Sequence, residues 1–241
     1  MIICVSSGCT FLFMMTIENI HGRETLFQLL KFNIPISCII IEHKSKNAEN
    51  GRKYLDNDFY NPGSFNDIVH GKKIDIFYVE NLNDEHSLKI LKEYKPDYIL
   101  LGGTRILKES IIKNTKFGIL NSHPALLPKY RGLDCVAWSI LSGDQIGATV
   151  HYIDPGVDSG PIILQETVDY SDCNSLIKVR IKVMKKCAEL MVRALLGIYY
   201  NTLEPIPQNS SMGINHKSMD SNNLSLVEEK IIAQYKSEEQ S

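Results

Sequence analysis

The sequence predicts an α/β domain. It should have a mostly parallel central sheet, an antiparallel strand pair late in the chain, and a short C-terminal extension. Three observations predict this. Short apolar runs alternate with amphipathic stretches through residues 1–200. Several runs are continuous rather than alternating, residues 36–41 most clearly, as suits strands covered on both faces. The last two runs, residues 148–153 and 162–168, have no helix between them and so should pair antiparallel.

Taken in order, residues 2–5 read as a first strand that Ser6-Ser7-Gly8 ends. Residues 1–17 as a whole read as a buried strand, a turn and the start of a helix. Residues 23–32 place Leu26, Phe27, Leu29 and Leu30 on one helical face. Residues 36–41 are a strand. Residues 44–72 are polar, with Pro62-Gly63 as a turn signal, and read as a surface excursion holding one short helix. Residues 74–79 form a strand. Asp84 caps a helix that Pro96 ends. Residues 98–101 are the next strand, closed by Gly102-Gly103, and residues 106–112 a short helix. Residues 118–120 lead into Asn121, and Pro124 and Pro128 exclude a regular element just beyond. Residues 134–141 and 174–199 are helices, the second the longest in the chain. Residues 1–200 are therefore expected to be one main domain and 201–241 the extension, ending in an acidic amphipathic piece at 224–235.

Composition narrows the function. The 241 residues carry 26 Lys and Arg against 28 Asp and Glu, a net charge of −2. That argues against a protein that coats nucleic acid or an anionic membrane. Cys4, Cys9, Cys38, Cys135, Cys173 and Cys187 show no metal-ligand spacing and read as buried small hydrophobes in a reducing compartment. No Lys or Arg precedes Arg23, so the uncharged start lacks the basic opening of a signal peptide. The expectation is a cytoplasmic protein without a metal.

Chemistry-bearing residues cluster in two places. Asn121 and His123 follow an apolar run and, two apart on a strand, share a face. Asp158 lies in a loop bounded by Gly and Pro. Singly, each has an ordinary reading: a structural histidine, an asparagine closing a turn, an aspartate in a turn. Jointly their surroundings are more specific. The segment Asn121-Ser122-His123-Pro124-Ala125-Leu126-Leu127-Pro128-Lys129-Tyr130-Arg131-Gly132 resembles the signature of folate-dependent formyltransferases. So do Gly147-Ala148-Thr149-Val150-His151 and Asp154-Pro155-Gly156-Val157-Asp158-Ser159-Gly160-Pro161. The resemblance is specific across residues 98–170. It reduces to strand and helix order before residue 98 and is absent from the tail. The loop between Gly143 and Thr149 is a residue shorter than is usual in the family.

The resemblance implies a Rossmann-like formyltransferase fold and formyl transfer from N10-formyltetrahydrofolate to an amine. It maps a catalytic triad onto Asn121 as oxyanion donor, His123 as general acid/base and Asp158 as orienting carboxylate. It places the folate between the loops at Gly103, Thr104, Arg105, Ile106 and Leu107 and at Ile153, Asp154, Pro155, Gly156 and Val157. It also implies a cis bond at Leu127-Pro128. Lys129 and Arg131 are candidates for substrate phosphates; the alternative is a solvated surface pair. His21, His43, His70, His86 and His216 read as surface residues, His151 as packing beside the site, and Trp138 as turned toward the core.

Four acceptor classes compete within the family. A methionyl-tRNA formyltransferase calls for a second, RNA-contacting domain, whereas residues 201–241 are few and acidic, three Lys against six Asp and Glu. A glycinamide ribonucleotide transformylase calls for a phosphate loop that Ser6-Ser7-Gly8-Cys9-Thr10-Phe11-Leu12 does not reproduce. A formyltetrahydrofolate hydrolase calls for a regulatory domain ahead of a first strand that here begins at Ile2. The bacterial nucleotide-sugar N-formyltransferases remain. Their dTDP- or GDP-linked amino sugars, such as dTDP-4-amino-4,6-dideoxyglucose, are destined for O-antigen and lipopolysaccharide. A non-catalytic folate- or nucleotide-binding module is the alternative from another class. A homodimer is expected, through the late strand pair and the apolar helix at 174–199. No nucleic acid or membrane partner is expected.

Overall fold

Strand β1 (Leu12–Ile17) is buried at every position, and its side chains alternate between two cores. Leu12 and Met14 join the cluster on one face of the sheet; Phe13, Met15 and Ile17 join the other. That period of two makes residues 12–17 a strand rather than the start of a helix. A computed structural model describes residues 12–44, 46 and 59–238. The strand expected at 2–5 lies outside them, as does the Ser6-Ser7-Gly8 turn. β1 is joined to α1 by Glu18-Asn19 alone, so the segment that follows β1 is this link and the first turn of α1. The phosphate-loop comparison at residues 6–12 was thus made ahead of that segment, and the strand expected from Ile2 stays untested.

Asn19 caps α1 (Ile20–Lys31) by accepting the Gly22 N–H at 2.7 Å. Then come β2 (Ile36–Glu42), α2 (Phe65–Ile68), β3 (Asp75–Val79), α3 (Glu85–Tyr94), β4 (Tyr98–Leu101) and α4 (Glu109–Ile112). A reciprocal Ser64–Asp67 box starts α2, and Asp84 caps α3 as expected. Strand β5 (Gly118–His123) itself contains Asn121 and His123. It is followed by β6 (Tyr130–Gly132), α5 (Cys135–Leu141), β7 (Gly147–Tyr152), β8 (Ile162–Thr167) and α6 (Leu176–Tyr199). The tail adds β9 (Ile214–His216) and α7 (Ser221–Glu238).

The sheet order is β3-β2-β1-β4-β5-β7-β8. The first five strands run parallel; β7–β8 is antiparallel, as the missing helix required, and β5–β7 is antiparallel too, although α5 lies between those two strands. Chain order reverses between β1 and β4, the switch point where open sheets of this kind bind ligands. The apolar side of α6 lies on β7, β5 and α1 of its own chain, so that face is not the dimer surface expected of it. Residues 124–129 form no regular element, but β6 begins directly after them and pairs in parallel with β9. That strand has no local signal because its partner lies far along the chain. The tail folds back rather than extending away. Ile206 bridges to Ile162, and Val227 and Ile231 of α7 are fully buried. Cys38, Cys135, Cys173 and Cys187 are buried free thiols; Cys4 and Cys9 lie outside the described residues. Among the described residues, no helix is long and apolar enough to cross a membrane.

Candidate active site

Strand alternation divides the end of β5. Asn121 and His123 face one side and Ser122 the other. In the antiparallel ladder Asn121 lies directly opposite His151 of β7, so their side chains meet: Asn121 Nδ2 is 3.2 Å from His151 Nε2. His151 Nδ1 is 2.8 Å from the Tyr152 carbonyl oxygen, which accepts from it. The proton is therefore on Nδ1, and Nε2 accepts from one hydrogen of the Asn121 amide. Burial pushes the His151 pKa down to about 4, with the Asp158 carboxylate working against that and His123 adding to it. His151 is thus a neutral acceptor that aims Asn121. It was read as packing because a cross-strand partner cannot be seen in one strand's sequence.

His123 is buried, with its Nε2 2.9 Å from the Tyr130 carbonyl oxygen and its Nδ1 3.5 Å from Asp158 Oδ2. Acceptors thus face both ring nitrogens. Asp158 Oδ1 lies 3.7 Å from His151 Nε2, so the carboxylate sits between the two imidazoles. Asp158 holds a left-handed backbone, φ 48°, and Oδ2 accepts the Gly132 N–H at 2.9 Å. The structure brings Asn121, His123 and Asp158 to one place, although His123 and Asp158 are 35 positions apart in the chain. Behind β5, His21 Nε2 meets Ser122 Oγ at 2.9 Å. His21 is buried, not a surface residue, and burial together with His123 lowers its pKa to about 4. His216 is half-buried rather than freely exposed: it stacks between Tyr130 and Trp138, with ring centroids 5.2 and 5.1 Å away. His70 and His86 are exposed, as expected.

The loop from Gly103 to Leu107 leaves the end of β4 beside α1. The Gly103 carbonyl accepts from Ile17 N and Asn19 Nδ2 at 3.0 and 3.1 Å. Gly103 has φ +75°, and a Cβ there would lie 2.9 Å from Asn19 Nδ2, so the close approach needs glycine. Arg105 Nη2 pairs with the fully buried Glu42 at 2.5 Å. Arg105 Nε is buried with no hydrogen-bond partner among the described residues. Thr104 is half-buried, Ile106 is 70% exposed and Leu107 is buried. Leu107 and Ile153 pack into the same apolar cluster, which ties this loop to the Asp154–Gly156 turn. In that turn Asp154 Oδ1 accepts from Gly156 N and Ser159 Oγ, at 3.1 and 2.6 Å. Lys129 is exposed and pairs with Asp144 at 2.6 Å. Arg131 is buried and turned into the tail, where its Nη2 donates to Gln208 Oε1 at 2.8 Å. The Leu127-Pro128 peptide is cis. A mostly apolar cavity of about 230 Å³ is lined by Ile20, Pro124, Leu133, Ile177 and Ile181, so that it reaches the residue after His123 but not His123 itself. The Arg180–Asp134 ion pair, 2.7 Å, stands in its wall.

The formyl transferase family model matches residues 26–195. The chain belongs to the formyl transferase family. A methionyl-tRNA formyltransferase of Thermodesulfovibrio yellowstonii is 32% identical over 135 residues, covering 55% of this chain and 44% of that protein. The chain thus matches less than half the length of that relative. Among solved structures, the N-formyltransferase from Helicobacter canadensis in complex with folinic acid and dTDP-3-aminofucose superposes with a TM-score of 0.61. The match is 18% identical and covers 92% of this chain and 81% of that one. Glycinamide ribonucleotide transformylase 1 from Symbiobacterium toebii gives a TM-score of 0.63 at 17% identity, covering 83% and 95%. At these identities the likeness is one of fold.

Proposed function

We propose that this chain transfers a formyl group from N10-formyltetrahydrofolate to the primary amine of a nucleotide-linked amino sugar. A single observation carries the reading: Asn121, His123 and Asp158 converge at the end of β5, with Asn121 aimed by His151. The folate supplies an activated one-carbon carbonyl. Gly103–Leu107 and Ile153–Val157 fit a planar heterocycle read mostly by backbone. Gly103 leaves the approach open, Ile106 offers an exposed apolar face, and Arg105 Nε is a buried donor in need of an acceptor.

Asn121 uses one amide hydrogen on His151 and keeps the other for the charge that develops on the formyl oxygen. His123 carries the proton. The amine nitrogen bonds to the formyl carbon, the bond to the donor nitrogen breaks, and the proton lost by the amine ends on that nitrogen. Asp158 supports the imidazolium while it exists and keeps the ring in line. The cavity between α1 and α6 has room for the acceptor's sugar.

The sugar class is supported by three things: the small pocket, the near-neutral chain, and an acidic tail that packs onto the domain rather than offering a basic surface. Such products serve O-antigen and lipopolysaccharide assembly. Glycinamide ribonucleotide is the second reading, because the turn after β1 is not the segment on which it was set aside. The test is product formation from N10-formyltetrahydrofolate with dTDP- and GDP-linked 3-amino and 4-amino sugars, glycinamide ribonucleotide, methionyl-tRNA, and no amine. The reading expects a formamide on one amino sugar. Transfer only to glycinamide ribonucleotide or methionyl-tRNA, or donor breakdown with water alone, overturns it.

A further inference from the structure

The tail reaches the candidate site through one side chain. Gln208 Nε2 donates to the carbonyl oxygens of Asp158 and Gly160, at 3.0 and 2.7 Å. Its Oε1 accepts from Arg131 Nη2 at 2.8 Å. Chemistry fixes the orientation of this amide. Exchanging its oxygen and nitrogen would set an acceptor against two carbonyl oxygens and a donor against a guanidinium. Arg131 is in turn held flat under the tail: a Cβ on Gly213 would lie 2.6 Å from its Cζ. The sequence offered Arg131 as a phosphate ligand; its buried guanidinium instead orients Gln208.

Asp158 has reason to need such a brace. A left-handed backbone costs a residue other than glycine about 1–2 kcal/mol, so contacts must hold it there. Two do, at opposite ends of the residue, and both lead to the tail. Gln208 grips the carbonyl end. At the carboxylate end, the Gly132 N–H comes from β6, and Gly132 is in register with His216 of β9. The tail's own anchoring lies elsewhere, in buried Met219, Val227 and Ile231. Removing the Gln208 amide therefore leaves the tail docked.

We propose that Gln208 is a positioning residue: from the C-terminal extension it holds the Asp158–Gly160 turn so that the carboxylate stays on His123. The inference rests on the reading of Asp158 as the carboxylate of formyl transfer. Gln208→Ala removes the amide. Gln208→Glu keeps its size and its Arg131 partner but presents no N–H to the two carbonyls. Both variants should lose about 100-fold in kcat, with the KM for the amine changed only a few-fold and the thermal midpoint near that of the wild type. In an Asp158→Asn background Gln208→Ala should cost little more, because it acts through Asp158. Hydrogen exchange at the Gly132 amide should quicken in Gln208→Ala. A Gln208→Glu variant as active as the wild type, losses that multiply with Asp158→Asn, or unchanged Gly132 exchange each overturn the proposal. If the wild type formylates no amine while Gly132 exchange still quickens, the functional reading fails and the positioning stands.

Discussion

The segment from Gly118 to Gly160 and the tail beyond Tyr199 act on the same carboxylate by different means. The first carries the groups proposed to react, the Asn121 amide, the His123 imidazole and the Asp158 carboxylate, with His151 setting the amide's direction. The tail supplies a strand for β6, a ring for the Tyr130–Trp138 stack and two N–H groups for backbone carbonyls. Groups that react can be interpreted where they stand in the chain, because chemistry restricts the residue type. Groups that only position can be of many types and become visible when the fold brings them in. Residue 208 is fifty positions from the carbonyl it holds.

The largest effect should come from the reacting group. His123→Asn removes the proposed proton carrier and should lower kcat by about 1,000-fold, within the range for general acid–base catalysis. The fold loses one hydrogen bond to the Tyr130 carbonyl, about 1 kcal/mol. The thermal midpoint should therefore move by only a few degrees. Wild-type turnover in a folded His123→Asn protein would falsify the assignment of chemistry to this segment.

The legibility of the sequence followed the same division. Asn121, His123 and Asp158 were singled out from two contiguous blocks, and the structure brings the three side chains together; the late antiparallel pair came from a missing helix. Strand β1 was missed because residues 12–17 read as leading into a helix, and only packing on both faces makes them a strand. That error hid His21, which sits in the first turn of α1 and reaches Ser122. His151 was visible as a residue, but its role depends on the Asn121 register. Alternation gave a usable hint, since Thr149 and His151 share the face that receives Asn121 and His123. For Gln208 and β9 there was no local signal of any kind.

Acid separates the two regions. His21 and His151 are held neutral, their folded pKa near 4 against an ordinary value of 6.5. In that interval the unfolded chain binds protons that the folded chain does not. Their contribution is therefore complete above about pH 6.5 and is lost as pH falls toward 4. Burial also lowers the pKa of His216, without the large shift of the other two, and its Nε2 has no hydrogen-bond partner among the described residues. The tail clamp should therefore loosen first. Trp138, the only tryptophan, lies 5.1 Å from that imidazole and reports its state. On acidification Trp138 emission should change at a higher pH than the far-ultraviolet circular dichroism of the sheet. A single transition shared by both signals would mean that tail and domain are one cooperative unit, and the comparison would lose its force.

The smallest effect distinguishes the two cations that looked alike in sequence. Lys129 and Arg131 stand two apart in one motif, yet Arg131 is buried against Gln208 and Lys129 is 56% exposed, paired with the half-exposed Asp144 and lying over the Tyr130 ring. An exposed ion pair of this kind adds little to the fold. Lys129→Ala should therefore leave the thermal midpoint unchanged and alter the KM for a nucleotide-linked acceptor by less than about twofold. The informative deviation is a KM that rises several-fold at low salt and returns toward wild type as salt is added, the behaviour of a solvent-exposed anion contact. Lys129 would then bind the acceptor's phosphates while Arg131 braces Asp158. Two neighbouring cations in one motif would be divided between substrate and tail, and the boundary between the two regions would run through residues 129–131.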